Sequence, residues 1–281
     1  MNSTKCSIGV SKNQQIAFFP GEFYNRGNGR RYPMDLSAFF RQYPKAALAF
    51  SGGIDSTWLL YEAIRNHADV RAYYINSQFQ TEKELQEVKD IAKRLKAELV
   101  LLPIDILSVP SVAENPKDRC YYCKTALFKT LIQRAAADGY DVVIDGTNAS
   151  DDTADRPGMR ALKELHVLSP LKEAGLTKKD IRAAAKAAGV PEWNKPAAAC
   201  LATRIPAGVP LCEEKLQIIE KSEAFLAGLG FTDFRVRMNE PFAILQIREE
   251  QMPLAMAHRA QIVEALSEHF ERVCLDMEVR S

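Results

Sequence analysis

The sequence predicts an α/β fold, a doubly wound parallel sheet with helices on both faces, followed by a smaller C-terminal α+β domain. Three observations carry this. From Lys45 onward, short apolar runs alternate with amphipathic segments, the signature of β-α units and a parallel sheet. The first apolar run passes directly into Ser51-Gly52-Gly53 and then into a helical pattern, a junction such sheets use to hold anions. Beyond about residue 207 the period changes: arginines alternate with apolar residues over 234–238, as in a half-buried strand.

Taken in order, residues 1–34 are rich in turn-forming residues and lack a period, and stand as an N-terminal extension of unknown role. A short helix is expected over 35–43. Strands follow at 46–50, 70–75, 98–103 and 141–145, with a weaker one at 166–168. Helices are expected after Asp55, over 81–95 and over 122–138. Another begins at Thr177, where Thr177 and Asp180 form a capping box, and ends at Gly189-Val190-Pro191. In the C-terminal part the pattern predicts a helix over 213–229 stopped by Gly230, strands at 234–238 and 242–248, a helix over 260–270 and a last strand over 273–279. The expected organisation is thus an extension (1–34), a nucleotide-binding domain (35–207) and a small α+β domain for substrate binding or oligomerisation (208–281).

Composition narrows the function. In 281 residues, 37 Lys and Arg balance 36 Asp and Glu to a net charge of +1, which weighs against nucleic acid as a partner. No apolar run is long enough to span a membrane, and no signal-peptide pattern opens the sequence, so no membrane partner is expected. Six cysteines in a chain of this length do not make a disulfide scaffold, and a reducing cytoplasm is the expected compartment.

The run Ala49-Phe50-Ser51-Gly52-Gly53-Ile54-Asp55-Ser56-Thr57 carries the chemistry. Glycines let backbone N–H groups close on a ligand, and a helix N-terminus adds unpaired donors and a positive dipole end. Hydroxyls flank the glycines, and Asp55 stands where a hard carboxylate could hold a Mg²⁺ bridging phosphates. No Lys-Ser/Thr follows a glycine at Walker A spacing. The pattern resembles the PP-loop of the ATP pyrophosphatases, which cleave ATP between the α and β phosphates and adenylate their substrates. The expected nucleotide site is Ser51, Gly52, Gly53, Asp55, Ser56 and Thr57, joined by Ser77 and Gly146, which follow the ends of other strands.

Cys120 and Cys123 form a C-x-x-C at the opening of a helix, and Cys200 lies far downstream in a loop rich in Pro and Ala. From the residues alone, four explanations stand: a redox dithiol, half of a zinc site, part of an iron–sulfur site, or inert buried thiols. None of the four histidines falls in a loop with zinc-ligand spacing, and the place of a thioredoxin-like motif is taken by the glycine loop. Arg204, Arg235 and Arg237 suit a bidentate grip on phosphate or carboxylate, and the alternating pair equally suits a solvated strand face. Arg156 and Lys195 are weaker candidates that surface ion pairs would also explain.

The set Ala49–Ser56, Asn76-Ser77, Arg119-Cys120-Tyr121-Tyr122-Cys123-Lys124, Asp145-Gly146, Arg156-Pro157-Gly158, Trp193-Asn194-Lys195, Cys200-Leu201-Ala202-Thr203-Arg204-Ile205-Pro206 and Arg235-Val236-Arg237 resembles the ATP-dependent sulfur transferases of lactate-racemase cofactor (nickel-pincer nucleotide) biosynthesis. The likeness covers Lys45 to Val279. It implies ATP and Mg²⁺ as cofactors, and pyridinium-3,5-biscarboxylic acid mononucleotide as a small-molecule nucleotide substrate. It also implies sulfide or another sulfur donor, and a homo-oligomeric enzyme. Some members give up the sulfur of one cysteine. Others carry three, and the resemblance implies a [4Fe–4S] cluster on Cys120, Cys123 and Cys200. Competing expectations are a PP-loop tRNA thiolase, an amidating ligase of the NAD or GMP synthetase kind, and a nucleotide-sensing module.

Overall fold

The computed structural model describes residues 35–151, 157–196 and 199–280. The N-terminal extension, Cys6 and Arg156 lie outside them. The chain begins with α1 (Leu36–Gln42), capped by the Asp35 carboxylate, which accepts from the Ala38 N–H, and enters β1 (Lys45–Ala49). The alternation then continues through α2 (Ile54–Arg65), β2 (Asp69–Asn76), α3 (Glu82–Leu95) and β3 (Leu99–Pro103). A short α4 (Pro110–Ala113) and the long α5 (Arg119–Ala137) lead to β4 (Val143–Ile144). Three helices follow: α6 (Pro157–Glu164), α7 (Pro170–Glu173) and α8 (Lys178–Ala187).

Strands β1 to β4 form one parallel sheet in the order β3-β2-β1-β4. Period-two alternation sends neighbouring residues to opposite faces. On β1 and β2, Ala46, Leu48, Ala72 and Tyr74 pack with α2, α3 and α8, while Ala47 and Tyr73 pack with Phe128 and Leu131 of α5 and Leu162 of α6. Both faces are therefore covered, as expected for a doubly wound sheet. Strand order reverses between β1 and β4, so the crevice beyond their carboxyl ends is the place for a ligand.

The second sheet is built from β5 (Arg235–Asn239), β6 (Phe242–Gln246) and β7 (Arg272–Leu275), in the order β5-β6-β7. Helix α9 (Glu213–Gly228) precedes it, and α10 (Met252–Ala257) with α11 (Arg259–Leu266) joins β6 to β7. The β5–β6 pair is an antiparallel hairpin and β7 adds parallel to β6. Its core draws in Leu201, Ala202 and Ile205, so the loop carrying Cys200 packs on the second sheet.

Several elements differ from the sequence reading. The strand expected at 166–168 is a single parallel bridge, Ile144 to Leu168, because His166 takes a positive φ of 55° at a turn. The α5 helix starts at Arg119, not residue 122, so the C-x-x-C lies inside its first turn. The last strand stops at Leu275, where Asp276 receives the Gln246 amide and turns the chain. No helix among the described residues is long and apolar enough to cross a membrane.

Candidate active site

A cavity of about 620 Å³ opens beyond the carboxyl ends of β1 and β4, within the size range of small-molecule sites. Its wall includes Ser51, Gly53, Asp55 and Ser56 from the β1–α2 junction, Gly146 after β4, and Cys200. Gly52, Thr57 and Ser77 do not line it among the described residues. Thr57 is fully buried inside α2, and Ser77 donates to Gln80 Oε1 (2.8 Å), closing the turn after β2.

The junction is shaped by short hydrogen bonds. Gly53 is the N-cap of α2 and has no side chain to occupy the helix end, which leaves first-turn N–H groups for a ligand. The Ser56 hydroxyl bonds Gly53 O (3.2 Å) and lies 3.2 Å from the Ser51 hydroxyl, fixing the loop as a ring. Gly52 takes φ +67°, and a Cβ there would meet Val88 Cγ2 at 2.6 Å. Gly146 touches the loop from β4: a Cβ there would lie 2.9 Å from Ser56 N and 3.2 Å from Ser56 Cα. Since both atoms are backbone, Gly146→Ala should displace the α2 N-terminus, destabilise the fold by about 1–3 kcal/mol and weaken ATP binding. Isothermal titration with ATP checks this; unchanged affinity would show that the contact does not shape the loop.

Charge around the loop is balanced and close. Asp55 Oδ2 pairs with Lys178 Nζ from the start of α8, while Asp55 Oδ1 is buried with no hydrogen-bond partner among the described residues. Burial raises the Asp55 pKa, and Lys178 opposes that rise. Lys195 Nζ donates to Gly52 O (3.0 Å) and pairs with Glu87 (2.7 Å), pinning the loop before Cys200 to the glycine turn. Sequence reasoning gave Lys178 no role, since its position reads as an ordinary helix start. Lys195 was a candidate from the sequence, but its contact with the glycine turn was not.

Cys200 lines the same cavity, and Cys120 and Cys123 stand near Cys200 from the start of α5. Burial pushes the Cys123 thiol up to about 12, and the neighbouring Cys200 and Cys120 add to the rise. Burial also raises Cys200, opposed by a backbone hydrogen bond from Ala202 and by Arg119. The three thiols therefore lie within one another's electrostatic reach. Arg119, 8% exposed, donates to Ala202 O (3.1 Å) and to Asn115, whose amide holds Pro206 O and Val209 O. This ties the first turn of α5 to the Cys200 loop.

The three arginines are placed differently from one another. Arg204 is 4% exposed and forms a two-pronged pair with Glu223 (2.8 and 3.0 Å). Its remaining amine donates to Ala199 O and Cys200 O. A guanidinium so engaged is a brace for the Cys200 loop, and this geometry departs from the ligand grip expected of Arg204. Arg235 and Arg237 both project from the half-buried face of β5, opposite Val236 and Met238. Arg237 donates to Thr203 O (2.7 Å) and Gln246, bringing β5 against the same loop.

Comparison with known proteins gives the family. The family described as Queuosine biosynthesis protein QueC, a PP-loop ATP pyrophosphatase family, matches residues 45–114, which contain the glycine loop, β1 to β3 and α4. An uncharacterised protein of Synechocystis sp. is 35% identical over 78% of this chain and 82% of its own length. The pyridinium-3,5-bisthiocarboxylic acid mononucleotide synthase of Lactiplantibacillus plantarum is 32% identical over 77% of this chain and 79% of its own length. An uncharacterised protein of Methanocaldococcus jannaschii is 31% identical over 84% and 90%. With a PP-loop fold and identity of this extent to a curated synthase, the chain belongs to the pyridinium-3,5-bisthiocarboxylic acid mononucleotide synthase family of ATP-using enzymes.

Proposed function

We propose that this enzyme uses ATP to adenylate a ring carboxylate of pyridinium-3,5-biscarboxylic acid mononucleotide and converts it to a thiocarboxylate. The observation that carries the reading is the shared cavity wall: the glycine loop and Cys200 face one space. A carboxylate is a poor electrophile. Attack of its oxygen on the α-phosphorus expels pyrophosphate and forms an acyl-adenylate. Hydrosulfide then adds to the carbonyl carbon, the C–O bond to AMP breaks, and the thiocarboxylate forms with release of one proton.

The chain's part is positioning and charge. First-turn N–H groups of α2, Ser51 and Ser56 cradle the leaving phosphates, and Lys178 and Lys195 add positive charge beside them. Asp55 suits a Mg²⁺: its Oδ1 has no partner among the described residues, and an ammonium already stands against its other oxygen. That ion would neutralise phosphate charge. Arg237, with Arg235, grips the anionic end of the substrate from β5, and Arg204 holds the Cys200 loop. Arg237→Ala should raise the substrate KM about tenfold, the value of one lost charge-assisted bond, with little change in the KM for ATP. An unchanged substrate KM, or the same fold-change in both KM values, would return Arg237 to a structural role.

Cys120, Cys123 and Cys200 offer the all-sulfur donor set of an iron–sulfur cluster, with Arg119 and Lys124 as neighbouring positive charge. Among the described residues no three Cys, His, Asp or Glu side chains are grouped to hold a single metal ion, whereas a cluster would take one thiolate on each of three irons. Such a [4Fe–4S] cluster would supply an iron able to carry sulfide. Residues 208–281 serve as a substrate-binding and assembly domain of a cytoplasmic homo-oligomer, a reading supported by Met256 and Met277, 64% and 84% exposed.

The test is incubation with ATP, the biscarboxylic mononucleotide and sulfide under anaerobic conditions, followed by mass spectrometry. Exchange of one substrate oxygen for sulfur, dependent on ATP, is expected. An unmodified substrate alongside consumed ATP would overturn the acceptor assignment.

A further inference from the structure

We propose that Lys178 is a built-in placeholder cation: without nucleotide its ammonium neutralises Asp55, the carboxylate offered to the divalent ion, and it transfers to the phosphates when that ion arrives with ATP. The inference rests on the nucleotide-site reading of the cavity. Lys178 Nζ touches Asp55 Oδ2, and among the described residues Asp55 is its only ion-pair partner. Both residues line the cavity, together with Asp151 and Lys195.

Three features make the lysine a movable charge on a fixed base. Its backbone is locked, because the Lys178 N–H donates to Ser150 Oγ (2.9 Å) and Thr177 and Asp180 close a capping box around the start of α8. Its side chain is a flexible four-carbon stem ending in a point charge, about one-third exposed. Lys195, by contrast, is held by both Gly52 O and Glu87 and has no comparable freedom.

Asp55 gives the reason for a placeholder. It sits partly buried in the first turn of α2 with one oxygen unpaired among the described residues, and Asp151 lies near enough to repel it. A buried carboxylate without a counter-ion is costly. Lys178 meets that cost while the site is free of nucleotide. A divalent cation and an ammonium repel at this distance, so binding of the metal with ATP must release the lysine. The nearest compensating charge is then the triphosphate in the same cavity. Lys178 thus opposes metal binding to the free enzyme and favours binding of the metal–nucleotide complex.

The test uses the full chain and Mn²⁺ as probe, followed by its EPR signal. Without nucleotide, Lys178→Gln should bind Mn²⁺ about tenfold more tightly than wild type, since the competing charge is gone. The same variant should bind α,β-methylene-ATP with Mn²⁺ about tenfold more weakly. Lys178→Arg, which keeps the charge, should leave Mn²⁺ binding near wild type. Opposite signs for the two ligands are the signature. Shifts in the same direction, or no shift in either, overturn the proposal. If Lys178→Gln does not fold, the wild-type protein still decides: the analogue should tighten Mn²⁺ binding at Asp55 in wild type but not in Asp55→Asn, and equal tightening in both overturns the proposal. A chain that yields ADP while keeping the opposite-sign signature refutes the adenylation reading alone.

Discussion

Cys200→Ala is expected to abolish thiocarboxylate formation while adenylation of the substrate continues. Cys200 shares the cavity with the glycine loop but makes none of the loop's hydrogen bonds, so its removal spares the phosphate site. Pyrophosphate should still form in the variant, in an amount limited by trapped acyl-adenylate. Loss of pyrophosphate as well would place Cys200 in the first half-reaction. Cys120→Ala and Cys123→Ala separate two routes for sulfur. If a cluster is used, each should lower bound iron from about four per chain in the anaerobically reconstituted protein, and each should end repeated turnover. If Cys200 gives up its own sulfur, wild type should stop after one transfer and carry a permanent loss of hydrogen sulfide at Cys200.

The second large effect concerns stability. Arg204→Ala should cost about 3–5 kcal/mol, because Glu223 is left largely buried without its cation. Glu223 Oε1 also accepts the Val236 N–H (3.0 Å), so the stranded carboxylate lies at the junction of the Cys200 loop, α9 and β5. Arg204→Met paired with Glu223→Leu should recover most of the loss, as removing both charges removes the desolvation cost. Urea denaturation of wild type and the two variants measures this. A small loss in Arg204→Ala would mean that the pair is solvated and that Arg204 is available to a ligand.

Much of the first sheet was legible because its signals are local. The apolar runs at β1, β2 and β3, the helix over 81–95 and the Thr177 capping box stand where the sequence puts them, give or take a residue at the ends. The strand expected at 166–168 failed because two apolar residues after a histidine cannot tell a strand from a single bridge. The start of α5 was misplaced since Arg119 and Cys120 carry no capping signal, and Asp118 makes no side-chain cap. In the site, Ser51 to Ser56 could be read from glycine and hydroxyl spacing. Thr57 and Ser77 fell off the wall because proximity in sequence does not fix which side of a helix or turn faces the ligand. Lys178, Lys195 and the Arg204–Glu223 pair were out of reach, since each contact spans a separation that only the folded chain closes: 123 residues for Lys178 and Asp55, 143 for Lys195 and Gly52.

The central claim is that a substrate carboxylate attacks the α-phosphorus of ATP. It is tested most directly with a substrate whose carboxylates carry heavy oxygen. The reaction is run with ATP, Mg²⁺ and sulfide, and the nucleotide products are analysed by mass spectrometry and phosphorus NMR. One heavy oxygen should appear in the phosphate of AMP for each thiocarboxylate formed, with unlabelled pyrophosphate released in equal amount. Formation of ADP, with the label in orthophosphate, would mean attack at the γ-phosphorus and would contradict the account.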